Sequence, residues 1–280
     1  MLDSLIDRAA TLIDEADALI VAAGAGMGID SGLPDFRGNA GFWKAYPALG
    51  KARLEFQQIA SPDAFRSAPA RAWGFYGHRL QLYRSTVPHA GFALLRRWGE
   101  RMPHGYNVFT SNVDGQFQKA GFDADVVHEC HGSIHHLQCL EPCSQAVWSA
   151  DAFAPEVNHA ECRLLNAMPL CPACGALARP NVLMFNDWDW IAHRTELQDC
   201  AQQAWLSSVN RPVVIEIGAG TAIPSVRHFS ERVVHAHGGR LIRINPNECG
   251  VPTERDVGLP LGALDALERI ARALGDSVAT

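Results

Sequence analysis

No apolar run in this sequence approaches the roughly 20 residues that a helix needs to cross a bilayer. Its first residues, Met1 to Arg8, carry acids where a secretory leader has a basic segment and an apolar core. A positive charge balance is missing too: the formal net charge is −6, which argues against a nucleic-acid surface as the main business and leaves basic peptides as weak candidates. Internal repeats, low-complexity tracts and long linkers are absent. With no secretory signal in view, the eight cysteines read as thiols and metal ligands and not as a disulfide framework. The expectation is a cytoplasmic protein whose partners include neither membrane nor nucleic acid.

What is present is an ordinary globular composition, 48% hydrophobic and 19% charged, in 280 residues. That length suits one large domain with an inserted lobe, or two modest domains. Apolar residues at helical spacing mark residues 2–16 as an amphipathic helix. Short apolar runs at 18–23, 106–110, 124–128, 181–185, 212–217 and 240–244 read as strands, and helical patterns at 90–101, 114–121, 195–209, 225–237 and 260–274 lie among them. This alternation predicts an α/β fold: a mostly parallel sheet with helices on both faces, whose ligands sit beyond the carboxyl ends of the strands. Residues 39–87, rich in aromatics and glycine, and residues 135–177, with five of the cysteines, interrupt the pattern. Both are assigned to a smaller inserted lobe, a helical module and a cysteine module; residues 1–38, 88–134 and 178–280 are assigned to the large domain.

The most informative segment is Gly24-Ala-Gly-Met-Gly-Ile-Asp-Ser-Gly-Leu-Pro-Asp-Phe-Arg-Gly38, straight after the first strand. Glycines there let backbone N–H groups approach a pyrophosphate with no Cβ in the way. The added Pro34-Asp35-Phe36-Arg37 suggests chemistry beyond holding a cofactor. Thr110-Ser111-Asn112-Val113-Asp114 and Gly218-Ala219-Gly220-Thr221 follow other strands and share the same edge. His131, followed by Gly132, comes just after another strand; a neutral imidazole there can take a proton from a hydroxyl, although an isolated histidine is more often structural. Cys139 and Cys143, with Cys171-Pro-Ala-Cys174-Gly, have the spacing of a tetrahedral structural zinc site, with His159 and Cys162 as substitute ligands. The bland alternatives are four unliganded thiols or a redox pair. Cys130, Cys200 and Cys249 are assigned to small core positions.

In order and approximate spacing, the Gly24–Gly38 and Thr110–Asp114 segments, His131-Gly132, the two cysteine pairs, Gly218 and Ile244-Asn245 resemble the sirtuin family, here in a divergent, bacterial-type form. The resemblance spans about residues 18–260. It implies a Rossmann-type large domain, a small zinc-binding lobe and a cleft between them, in an NAD-dependent protein-lysine deacylase. By that resemblance Gly24, Ala25, Gly26, Asp35, Phe36 and Arg37 hold NAD; Ser111, Asn112 and Asp114 face the nicotinamide and its ribose; Gly218 and Asn245 contact the adenosine side. Asn112 and His131 carry the chemistry, His131 as general base on a ribose hydroxyl, giving nicotinamide and O-acyl-ADP-ribose from an acyl-lysine protein or peptide.

The sequence departs from the family pattern in several places. Gly28 stands where a hydroxyl residue is usual, Ser111 replaces a glutamine, and Ala219-Gly220 replaces hydroxyl residues. The segment Arg179–Trp190 is expected to pair with an extended substrate by strand addition, with Phe185 at the substrate, yet Asn186-Asp187 replaces Gly-Glu and Trp188 and Trp190 follow. Those tryptophans either pack the loop or mark an unusual substrate. Tyr76 and Arg79 stand at i and i+3 on a predicted helix 68–84, as in sirtuins that remove succinyl and malonyl groups; the plain alternative is an arginine on a solvated face beside a packed tyrosine. Two rival functions remain: an ADP-ribosyltransferase or NAD glycohydrolase on the same scaffold, and a non-catalytic NAD or ADP-ribose sensor.

Overall fold

The structure, a computed structural model, describes residues 2–34 and 38–277. Its strands are β1 (Ala18–Ala23), β2 (Tyr106–Thr110), β3 (Val127–Glu129), β4 (Gly132–Cys139), β5 (Val147–Ser149), β6 (Val157–Asn158), β7 (Arg163–Leu164), β8 (Ala178–Val182), β9 (Pro212–Ile217), β10 (Arg240–Ile244) and β11 (Val257–Leu259). Six of them form one parallel sheet in the order β11-β10-β9-β1-β2-β3. Every residue of β1 is buried, as a central strand covered on both faces must be. Leu19, Val21 and Ala23 point into a core closed by the helices Leu2–Asp14, Ala90–Glu100 and Ala263–Ala273. Ile20 and Ala22 point to the opposite face, against Val226, Phe229 and Val233 of the helix Ser225–His237. Each such aliphatic side chain, removed from water, contributes roughly 1.5–3 kcal/mol. Among the described residues no helix is long and apolar enough to cross a membrane.

From β1 the chain builds outward to β2 and β3, then returns to the other flank for β9, β10 and β11. The direction of winding therefore reverses between β1 and β9, where an α/β sheet opens its ligand crevice. Register brings the strand ends level: Ala23 sits opposite both Thr110 and Ile217, Thr110 opposite Glu129, and Ile217 opposite Ile244.

The smaller lobe has its own core. An antiparallel sheet β5-β4-β8 and the β6–β7 hairpin pack on the helix Pro69–Ser85, with Trp73, Phe75, Leu137 and Leu164 buried between them. Gly74 is required in that helix: a Cβ there would lie 2.3 Å from the carbonyl oxygen of Cys162.

Several elements differ from the sequence reading. The strand expected at 181–185 is β8 at Ala178–Val182, whose polar Arg179 and Asn181 are fully buried and paired with Asp187 and Gln138. Residues 124–126 of the strand expected at 124–128 form a 3-10 turn, and β3 begins at Val127. The helix expected at 114–121 shrinks to Gln116–Lys119 between Gly115 and Gly121, both at positive φ. β4 and β11 were not foreseen.

At the reversal point Gly218 (φ 64°) meets Gly26 so closely that a Cβ on Gly218 would lie 2.3 Å from the Gly26 Cα. Gly218→Ala is expected to destabilise the protein by about 2–4 kcal/mol. Gly220→Ala, where a Cβ meets only Glu248 Oε2 at 3.8 Å, should change stability little; denaturant unfolding of both variants checks the contrast.

Candidate functional site

Each turn leaving the parallel sheet is bonded to its neighbour. The Gly24 N–H donates to Ile217, that of Ser111 to Ala23, that of Cys130 to Thr110 and that of Gly218 to Ile244. This staircase of backbone bonds floors a cavity of about 890 Å³, within the range of small-molecule sites. Its walls bring together Gly24, Ala25, Ser111, Asn112, Asp114, His131, Gly218, Tyr76, Arg79 and Phe185. Gly26 lies beneath the wall, in backbone contact with Gly218. Asp35, Phe36 and Arg37 fall outside the described residues.

The glycine turn continues as a 3-10 helix, Ala25–Ser31, closed by Gly32 in the left-handed region. It is held from behind. The buried His89 bonds the Met27 carbonyl through Nε2, and Asp30 accepts from the Leu264 N–H. Gly28 is buried against Leu33, so the position expected to carry a hydroxyl is packed against apolar carbon.

Asn112 joins two of the turns: its Nδ2 donates to the Gly24 carbonyl at 3.0 Å, and its own N–H donates to Thr110 Oγ1. Asp114 is buried, accepts from the Gln116 N–H, and is pushed up from 3.8 to about 6 by burial, with Glu129 adding to the push and Arg79 opposing it. His131 is held at its backbone, where its carbonyl accepts from the Leu183 N–H at 2.9 Å. Burial lowers the pKa of its imidazole below the ordinary 6.5, against a hydrogen bond to the Ser111 backbone, so the ring is neutral at pH 7 and able to accept a proton. Asn245 directly follows β10. It is buried, donates to the Ala219 carbonyl and accepts from the Asn247 and Glu248 N–H groups, so it shapes the turn after β9 without lining the cavity.

Tyr76 and Arg79 both lie on the cavity wall, and Arg79 is 8% exposed, so the solvated-face alternative for that arginine does not hold. A third member escaped the sequence reading: Tyr83 Oη accepts from Arg79 Nε at 2.9 Å and Nη2 at 2.7 Å. Its position four residues beyond Arg79, on the same helix face, was the available signal. Beyond β8, Leu183, Met184 and Phe185 line the cavity. Asp187 turns inward to a bidentate pair with Arg179, at 2.7 and 2.8 Å, both side chains fully buried. Trp190 is half-buried, but Trp188 is 95% exposed, so loop packing does not account for it.

The Sγ atoms of Cys139, Cys143, Cys171 and Cys174 lie within 4.8 Å of one another, with Cys139–Cys174 at 3.7 Å and Cys143–Cys171 at 3.6 Å. Zinc–thiolate bonds of about 2.3 Å in a tetrahedron separate sulfurs by about 3.8 Å, so donor type and spacing both fit that metal. His159 and Cys162 do not join the cluster, and Cys200 is exposed instead of filling a core.

The profile of the Sir2 family matches residues 24–217, and the chain belongs to that family. Among curated proteins it is 28% identical over 278 residues to the NAD-dependent protein deacylase of Thermococcus kodakarensis, covering 98% of each chain. It is 29% identical over 266 residues to NAD-dependent protein deacylase 2 of Pyrobaculum aerophilum, covering 93% of this chain and 92% of that one. Among solved structures, a Sir2 homologue in complex with NAD superposes with a TM-score of 0.71 at 24% identity, over 95% of this chain and 93% of the other. Sir2Tm bound to a propionylated peptide gives 0.61 at 20% identity, over 95% and 97%. These two likenesses concern the fold.

Asp114 yields a signed prediction. Its folded pKa of about 6 exceeds the unfolded value, so the folded state binds the extra proton and stability falls as pH rises from about 4 through 6. Asp114→Asn should therefore melt higher than the parent at pH 8, by up to about 3 kcal/mol, and close to it at pH 4. Melting curves at the two pH values check this.

Proposed function

We propose that the protein is an NAD-dependent protein deacylase that removes acyl groups from lysine side chains of a protein or peptide, releasing nicotinamide and O-acyl-ADP-ribose. The observation that carries the reading is the convergence of Asn112, Asp114 and His131 with the paired glycine turns on one cavity. Family membership and the names of the curated relatives support it.

NAD fits the turns at Gly24 and Gly218, which line the cavity without side chains; when bound, it would supply the electrophilic sugar carbon that receives the acyl oxygen. Gly24, Ala25 and Gly218 would hold its phosphates and adenosine side, and Ser111, Asn112 and Asp114 its nicotinamide side. Asn112, tied to Gly24, keeps the two halves of the cavity in register. His131, neutral and half-buried, takes the proton of a sugar hydroxyl. Apolar walls from Leu33, Val113, Met184 and Phe185 exclude water, which would otherwise compete for the reactive carbon.

We extend the proposal to acyl groups that end in a carboxylate. A guanidinium recessed in the cavity wall, with the hydroxyl-bearing rings of Tyr76 and Tyr83 beside it, matches such a tail in charge and polarity. Peptides carrying acetyl-, succinyl- or malonyl-lysine, incubated with NAD and followed by mass spectrometry, test both layers. O-acyl-ADP-ribose is expected with all active substrates and is lost in His131→Ala. Arg79→Met should raise KM for the succinyl peptide by tenfold or more, about 1.4 kcal/mol, and leave that for the acetyl peptide within a few-fold. Protein-bound ADP-ribose would favour a transferase instead, and free ADP-ribose alone a glycohydrolase.

We further propose that Cys139, Cys143, Cys171 and Cys174 hold one structural zinc, which closes all four coordination positions and so leaves none for catalysis. Metal analysis should return one zinc per chain. Chelation, or Cys174→Ser, should lower the melting temperature, because the cysteine module would lose the bonds that order its loops.

A further inference from the structure

The segment after β9 runs along the cavity wall through Ala222 and Ile223 and enters the helix Ser225–His237. Its first residue, Ser225, lies with Oγ 3.4 Å from His131 Nε2. This contact joins two elements 94 residues apart. The motif reading of the turn ended at Thr221 and gave Ser225 no role. From this geometry we infer that Ser225 is a positioning residue for the general base: its hydroxyl donates to Nε2, fixes His131 in the Nδ1–H tautomer, and aims the Nε2 lone pair along the cavity wall. The inference rests on His131 acting as the base, the reading given above.

First, the neutral ring has one N–H and one lone pair, and its partners choose which nitrogen carries which. The Ser111 backbone favours the protonated ring. A backbone group that does so is one that can accept from the ring. Nε2 faces Ser225, so the donating nitrogen is Nδ1, and a hydroxyl is the group that can complete the pair by donating to Nε2.

Second, the hydroxyl is held in place. The stacked rings of Phe109 and Phe229, 4.0 Å apart and 5° from parallel, register this helix against β2, the strand whose exit carries Ser111 and Asn112. Arg227 anchors its first turn by donating to the carbonyls of Ala219 and Glu248. The serine therefore cannot drift away from the imidazole without disturbing the glycine turn itself.

Third, 3.4 Å is a loose bond, and a loose bond suits the role. A substrate hydroxyl can displace it from the lone pair. The proton of that hydroxyl then moves to Nε2, and the electron pair of the broken O–H bond stays on the oxygen. The new Nε2–H can donate back to Ser225 Oγ once the serine hydroxyl has turned, so the imidazolium keeps two acceptors. A serine can donate in one state and accept in the next, which a backbone carbonyl or an alanine cannot.

The test uses the full chain. Nitrogen-15 spectra of the His131 ring at pH 8 are expected to show Nδ1–H with Nε2 unprotonated, and Ser225→Ala to shift the ring towards a mixture of tautomers. With an acyl-lysine peptide and NAD, Ser225→Ala should lower kcat about tenfold while KM for NAD moves less than twofold, and Ser225→Thr should recover most of the loss. An Nε2–H ring in the parent, or ring signals and kcat unchanged in Ser225→Ala, would overturn the inference and leave the deacylase reading standing. Deacylation undiminished in His131→Ala would overturn the base assignment and this inference together.

Discussion

Two glycine turns compete for one volume, and the site exists because neither brings a side chain to it. Gly26 and Gly218 lie in contact where the winding of the sheet reverses, and Gly24 sits against the carbonyl of Gly218 and the Cα of Ala219. That approach lets the turn after β1 bond the end of β9 while the turn after β9 bonds the end of β10. The cavity floor is thus backbone bonded to backbone, poor in side-chain bulk. Asn245 belongs to the same construction: spending its side chain on three backbone groups beneath the turn, it fixes the shape that a ligand meets.

Above this floor the smaller lobe adds what a bare parallel sheet cannot. The helix Pro69–Ser85 is buried on most of its circumference, including the charged Arg79, and so delivers a guanidinium to the cavity wall. Asp114 and Arg79 are buried on the same cavity, and the arginine partly offsets the burial that raises the carboxyl. A buried carboxylate of this kind works against stability at neutral pH, which is the usual sign of a residue kept for function and not for the fold.

The sheet was legible because its central strands are continuous apolar runs: β1, β2, β9 and β10 lie where periodicity places them. What periodicity missed lacks that signal. β11 is three residues long. β4 reads Gly-Ser-Ile-His-His-Leu-Gln-Cys, and its buried Gln138 is satisfied by Asn181 and by the backbone of Ile191, contacts invisible to local pattern. The cavity residues were found through motifs that follow strands, where geometry makes position predictable. Tyr83 was missed although its partner Arg79 is only four residues away, whereas the contact of Ser225 with His131 spans 94 residues and leaves no local signal.

The segment 183–190 is fixed by its own polar side chains. Asn186 adopts φ 54°, the left-handed conformation that asparagine reaches more easily than other side-chain-bearing residues. The carboxylate of Asp187 is committed to Arg179 and to the N–H groups of Met184 and Asp189. Breaking such a buried pair leaves an uncompensated charge, so the loop is held in one shape before any substrate arrives. Asp189 then ties the far end to Arg66. Within so constrained a loop, the side chain that packs on nothing is Trp188. The acid at 187 therefore serves the fold of this loop, while the indole at 188 is what the loop offers to solvent.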